Sequence, residues 1–384
     1  MQFGRGGDGA AWQVSGFSHP EAGFTWLLGP RAIFVVPLHP GQGDLLLELS
    51  VHAFMAPGLN GQRIGVAVDG TELGEVWAGR DVVLGVRIPA ALAADKTRLR
   101  LQLSLPDAAS PRSRGTAPDG RVLGCQLREV LLHWVAPEPA IVSQRREPLP
   151  LTRADSPQRQ AELVRYVTGL TPPDLLDHFE SLGQNCVMGL VQRLHGIEPQ
   201  GLLRFVSITS PQLWRGLRCG FDGVDELAQL RAKRADGDDP EWMMFHEGYG
   251  MEGHTNQFVN RTSEADILEM QARRIGLQHR RFLDVLRGGE KLFVVHMVTA
   301  MEVANALPLL HALRSHGPNA LLFVTTGGDV APGSVDLVGP HLFRGHLEKA
   351  VPVEHAEDYD LPEWLSVCAN AYRLWRETGH GTSA

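Results

Sequence analysis

Residues 291–326 read KLFVVHMVTAMEVANALPLLHALRSHGPNALLFVTT, two aliphatic runs on either side of a segment with helical spacing. The runs at 291–297 and 319–326 are apolar almost throughout, as in strands covered on both faces. Between them, 301–315 carries apolar residues at helical intervals and stops at Gly317-Pro318, a pair that cannot continue a helix. Strand, helix and strand within 36 residues suit a right-handed βαβ crossover between parallel strands. Pro308 lies inside the helical segment, where a kink or a later start accommodates it.

The same texture extends upstream and downstream. Helical patterns recur at 158–168, 187–195, 263–287 and 362–376. Residues 161–384 are therefore expected to form a three-layer α/β domain. Residues 1–136 are punctuated differently. Runs such as RAIFVVPL, DLLLELSVHAF, RIGVAVDG, DVVLGVRIP, TRLRLQLSLP and LREVLLHWV are separated by Gly, Pro, Asn and Asp. Leu99, Leu101, Leu103 and Leu105 alternate with polar neighbours, the pattern of a strand with one wet face. Only IPAALAAD looks helical. The expectation is an N-terminal antiparallel β-sandwich, jelly-roll-like and of a kind that can bind carbohydrate. Residues 137–160, rich in Pro and charge, read as the linker.

Composition bounds the function. A chain of 384 residues is long for one core, and 43% hydrophobic with 21% charged residues is ordinary for a folded protein. The formal charge is −8 and no basic block occurs, which argues against nucleic acid as a partner. No apolar run approaches the roughly 20 residues of a transmembrane segment. The N-terminus lacks a signal-peptide pattern, so cytoplasmic residence is the expectation. Cys125, Cys186, Cys219 and Cys368 are scattered without CxxC spacing, and the 16 histidines form no HExxH or HxH cluster. Neither a disulfide framework, a metal nor a cofactor is called for. The oligomeric state is left open.

One turn invites chemistry. In HFESLGQNCVMGLVQRLHGIEPQGLLRFV (178–206), an apolar approach meets Ser181-Leu182-Gly183-Gln184-Asn185-Cys186 and then a helical pattern. Ligands of α/β sheets gather at such strand-to-helix turns. Gly183 permits unusual backbone angles and Asn185 suits a helix N-cap. Cys186 would sit in the first helical turn, where the helix dipole favours thiolate. A buried structural cysteine is the alternative.

SLGQNCVMGLVQRLHGIEPQGLLRF resembles the signature of a bacterial family of unknown function labelled as papain-like cysteine peptidases. The similarity continues through EGYGMEGHT, RRIGLQHRRFLDVLRGGEKLFVVH and LPEWLSVCANAYRLW. It covers roughly 175–376. The resemblance implies a nucleophilic Cys186 with a histidine partner, for which His254 is the best match. The segment around Cys186 departs from the papain Cys-Gly-x-Cys-Trp pattern.

Roles follow for the other candidates. HEGYGMEGHTNQF reads as a loop, carrying His254 as base with His246 as competitor and Asn256 to orient it. Gln184 and the N–H groups of Asn185–Val187 suit an oxyanion, or a phosphate held without covalent chemistry. Gly183, Gln184, Asn185, Arg204, Asn256 and His296 are the substrate-binding candidates, Arg204 for an anionic group and His296 from the end of its strand. TTGGDVAPGS (325–334) is a further loop for that cleft, and HAEDYD (355–360) an acidic turn. Trp364, Tyr372 and Trp375 recur at helical spacing as a packing face. Trp12, Phe17, Phe24, Trp26 and Trp77 are candidate platforms for sugar rings.

The favoured expectation is a cysteine-dependent hydrolase or acyltransferase acting on a glycan-linked or peptide substrate. Two alternatives stand beside it. One is a glycosyltransferase-like or glycan-binding protein of surface-polysaccharide assembly with a structural Cys186; the other is a non-enzymatic assembly module.

Overall fold

A computed structural model describes residues 1–137, 143–235, 240–296, 301–351 and 358–379. Residues 138–142 of the expected linker, Met297 of the first βαβ strand and residues 355–357 of the acidic turn lie outside the described residues. The chain divides into two compact units, Met1–Pro139 with Glu302–Pro308, and Ala140–Met301 with Leu309–Ala384.

The first unit is an antiparallel β-sandwich. One sheet has the order β1-β3-β8-β5-β6, from Gln13–Ser15, Arg31–Pro37, Arg98–Ser104, Gln62–Val68 and Thr71–Ala78. The other has the order β2-β9-β4-β7, from Thr25–Leu28, Leu123–Val135, Asp44–Ala53 and Val82–Ile88. A single turn of helix, α1 (Ala90–Ala93), is the short helical piece expected there. Leu99, Leu101, Leu103 and Leu105 all point into the shared core, as their alternation predicts. β6 escapes sequence reading because it is an exposed edge strand whose residues have little to bury.

The second unit is a three-layer α/β structure. Its six-stranded sheet has the order β10-β18-β19-β17-β16-β11, from Gln144–Arg146, Val335–Gly339, Leu342–Leu347, Ala320–Thr326, Leu292–His296 and Phe179–Ser181. β11, β16, β17 and β19 run parallel, and β18 and β10 complete the sheet antiparallel. The predicted β16-helix-β17 unit is present, with α7 (Val303–Arg314) containing Pro308. On one face Phe179, Leu292, Val294 and Leu322 pack with α2 (Pro157–Thr168), α3 (Pro172–Asp177), α4 (Val187–Leu194) and α8 (Leu361–Glu377). On the other face Phe293 meets Phe282 of α6 (Glu264–Gly288) edge to face at 6.1 Å. Trp364 and Trp375 are buried on α8, the packing role expected of them.

Two expectations need correction. The stretch 137–160 is not all linker. β10 joins the sheet and Leu149 enters the core, because isolated apolar residues among prolines can dock on a sheet edge without any periodicity. The segment around His246 and His254 is not a loop. β14 (Glu241–His246) and β15 (Met251–Phe258) form a second antiparallel sheet, in the order β12-β15-β14-β13, with β12 (Val206–Ser207) and β13 (Leu230–Arg234). Trp242, Met244 and His246 alternate inward, a half-buried strand pattern masked by the adjoining glycines. Two short helices, α3 and α5 (Ser210–Arg218), fall outside the sequence reading, though each follows a threonine with a proline near the first turn.

Buried Asp336 on β18 fastens the added strands. Its carboxylate accepts hydrogen bonds from Arg145 Nε (2.6 Å), Arg344 Nη2 (2.9 Å) and His346 Nε2 (3.0 Å). Burial opposes ionisation of Asp336, but these donors outweigh it and hold the carboxyl well below the usual range. The stabilisation is therefore present above the ordinary carboxylate pKa and lost only as pH falls well below it. Asp336→Asn is expected to lower unfolding free energy by about 2 kcal/mol, equally at pH 6 and pH 8, measured by urea denaturation. A change below about 0.5 kcal/mol would show that the network contributes nothing.

Candidate functional site

The Ser181–Cys186 turn leaves the carboxyl end of β11 beside β16. Leu182 N–H donates to Val294 O at 2.8 Å, which carries the parallel pairing into the turn. Gly183 has φ +77°, and a Cβ there would lie 2.9 Å from Val206 O, so glycine is required twice over. Gln184 also has a left-handed backbone, φ +73°, rare for a residue with a side chain. Such strain persists only where surrounding structure imposes it.

Asn185 imposes it. Its Oδ1 accepts from Val187 N–H at 3.1 Å, and its Nδ2 donates to His296 O and His296 Nδ1, both at 2.8 Å. The amide orientation is unambiguous, because a backbone N–H only donates and a carbonyl only accepts. His296 Nδ1 is consequently an acceptor and Nε2 carries the proton. Burial pushes the His296 pKa down to about 4, so the ring is neutral at neutral pH. Its Nε2–H has no hydrogen-bond partner among the described residues, nor have the Nε2 and Oε1 of buried Gln184. Trp364 packs edge-on to the His296 ring at 5.4 Å.

Cys186 stands at the N-cap of α4 rather than inside its first turn. It is half-buried and packs against the apolar cluster beneath the helix. Burial pushes its thiol pKa up, with Arg193 acting weakly the other way. The expected depressed thiol is thus corrected. Desolvation by the apolar cluster is the larger influence on the thiol. The proposed oxyanion donors change too, since Val187 N–H is already taken by Asn185.

His254 is elsewhere. Its Nδ1 lies 3.0 Å from Glu241 Oε2, and Glu241 Oε1 accepts from Asn256 N–H at 2.5 Å. Asn256 therefore contributes its backbone, held at φ +56°, while Glu241 orients the imidazole. Glu241 was missed because it lies 13 residues away in sequence and meets His254 only through strand pairing. His254 and Asn256 line a cavity with Arg193, Arg204, Arg274 and Gln278, of which Cys186 is not a wall. Arg193 is seven residues beyond Cys186 along α4, about 10 Å at helical rise. Among the described residues no hydrogen bond joins Cys186 to His254, and the two do not line one cavity.

Arg204 is also committed internally. It pairs with Glu198 and donates from Nη2 to Gly189 O and Ile197 O, both at 2.9 Å, tying the following loop to α4.

Comparison with known proteins adds little. No family model and no curated protein matches the chain. Solved structures with a partial likeness to the chain include a family GH115 4-O-methyl-α-glucuronidase, at 12% identity and TM-score 0.24. That match covers 35% of this chain and 17% of the other, so the chain spans only a small part of that enzyme's length. The C-terminal CBM6 of a laminarinase from Zobellia galactanivorans matches at 12% identity and TM-score 0.22, covering 34% of this chain and 97% of the module. A CBM36 carbohydrate-binding module matches at 9% and 0.18, covering 31% and 87%. No functional assignment is taken from likenesses of this size. Among the described residues no helix is long and apolar enough to cross a membrane.

Beneath Gly201, another wall of the His254 cavity, Glu180 of β11 is buried 4.0 Å from Lys291 Nζ. Burial pushes its carboxyl up to about 7, against the attraction of Lys291, Arg281 and Arg204. The fold favours the protonated form. Its contribution is complete below the ordinary glutamate pKa and is lost as pH rises from there through about 7. Glu180→Gln should be nearly neutral at pH 5 and stabilising by on the order of 2 kcal/mol at pH 8, compared by urea midpoints. An identical effect at both pH values would contradict the assignment.

Proposed function

We propose that the protein recognises a glycan-linked substrate, and that the SLGQNC turn seats its oxygen atoms through neutral donors, with Cys186 structural. This is the glycan-binding or glycosyltransferase-like alternative rather than the cysteine hydrolase. The observation that carries it is the pair of buried, unpartnered polar groups at the turn, His296 Nε2–H and the Gln184 amide. A buried donor without a partner costs free energy that a ligand's hydroxyl or carbonyl would return. Neutral donors of fixed tautomer suit a polar, uncharged acceptor such as a sugar hydroxyl.

Support for a glycan also comes from the sandwich unit by itself. Trp26 meets Phe24 and Phe54 edge to face at 5.9 and 6.3 Å. Trp26 and His52 flank Gln126 in register across three strands, and His52 and Arg128 both reach Asp81. Aromatic faces bordered by polar side chains are what saccharide recognition uses. Of the other aromatic candidates, Phe17 stacks on Phe3 within the core region, whereas Trp77 is exposed.

One observation favours the cysteine-nucleophile reading as a second. Cys186 is partly accessible at the strand ends, whereas Cys125 and Cys368 are sealed in the cores. Native alkylation with iodoacetamide separates the two, using exposed Cys219 as internal reference. Slower labelling of Cys186 than Cys219 at pH 6–8 is expected. So are oligosaccharide binding by calorimetry that survives Cys186→Ala and binding weakened about ten-fold by Gln184→Leu. Faster labelling of Cys186 at pH 6, or peptide or ester hydrolysis abolished by Cys186→Ala, would restore the nucleophile and overturn this reading.

A further inference from the structure

We infer that the cavity beside His254 is a binding site for a tetrahedral oxyanion, the phosphoryl group being the chemical class it fits. The inference is independent of how the SLGQNC turn is read. The cavity is small, about 70 Å³, and admits one such group with the rest of a ligand extending outward.

Charge is the first argument. The chain carries a formal −8, yet Arg193, Arg204 and Arg274 line this cavity with Glu198, while Glu241 holds the lining His254. Glu198 serves two guanidiniums at once, accepting from Arg193 Nε at 2.7 Å and pairing with Arg204. Both guanidiniums also lie over the Phe205 ring, 4.5 and 4.7 Å from its centroid. Two cations are thereby fixed side by side with Glu198 shared between them, and buried Glu180 beneath Gly201 favours its neutral form, which leaves positive potential for a third party.

Unspent donors are the second. Arg204 is buried, and its Nε–H has no partner among the described residues. Arg274, which reaches the cavity from α6, makes no hydrogen bond or ion pair among the described residues. These groups come from α4, the loop after it, β15 and α6, so they approach a common point from several directions. A planar carboxylate satisfies one guanidinium fork, whereas a tetrahedral oxyanion offers acceptors to several. Because the arginines are held by Glu198 and Phe205 beforehand, little ordering remains for the ligand to impose.

Calorimetric titration of the full chain with inorganic phosphate at low ionic strength tests this, with acetate as the planar comparator. Phosphate is expected to bind more tightly than acetate. Arg274→Gln and Arg193→Gln should each weaken it about ten-fold or more, the loss of a charged hydrogen bond. Arg165→Gln, a change at an exposed arginine on α2, should leave it unaltered. No heat from phosphate, acetate binding as tightly as phosphate, or equal losses in all three variants would overturn the assignment. Circular dichroism of each variant separates lost binding from lost folding.

Discussion

The turn that follows β11 in the second unit depends on a single side chain, the amide of Asn185. Its three hydrogen bonds join the end of β16 to the start of α4 across a turn with two consecutive left-handed residues. Each bond contributes about 0.5–1.5 kcal/mol net, enough together to hold Gln184 in a conformation it would otherwise leave. The same amide chooses the tautomer of His296. Structure and chemistry at this edge thus share one cause, a fixed donor array that does not rely on any ionised group.

That cause also explains why the nucleophilic cysteine loses ground. Thiolate chemistry needs a lowered thiol pKa and a base with a free lone pair. Burial raises the Cys186 pKa, and the histidine secured to the turn, His296, carries its proton on Nε2, the nitrogen away from Asn185. The other histidine, His254, is correctly oriented for a base by Glu241 but stands at the far end of α4, among arginines. Two sets of polar residues that the resemblance had merged into one thus lie at separate places.

The sequence made the architecture legible wherever burial was two-sided or strictly alternating. The aliphatic runs of β16 and β17, the alternation of β8 and the helical spacing of α6 could each be read from neighbours alone. The second sheet could not. Its histidines and glycines resemble a loop until β14 and β15 pair and bury Trp242 and Met244. The candidate site was legible in part. Gly183, Gln184, Asn185 and His296 were all singled out and are gathered at one strand edge. Their roles were not legible, because a proton's position on an imidazole depends on a partner 111 residues away. Arg204 was a ligand-binding candidate, yet its Nη donors go to Glu198 and to carbonyls of its own loop and of α4.

The tautomer of His296 is the most direct test of the account. Nitrogen-15 NMR of imidazole-labelled protein reports which ring nitrogen bears the proton and at what pH the ring titrates. The account predicts a neutral ring protonated at Nε2 and unchanged between pH 5.5 and 8, in keeping with a pKa near 4. A ring protonated at Nδ1, or one that titrates near the ordinary histidine value of about 6.5, would contradict it.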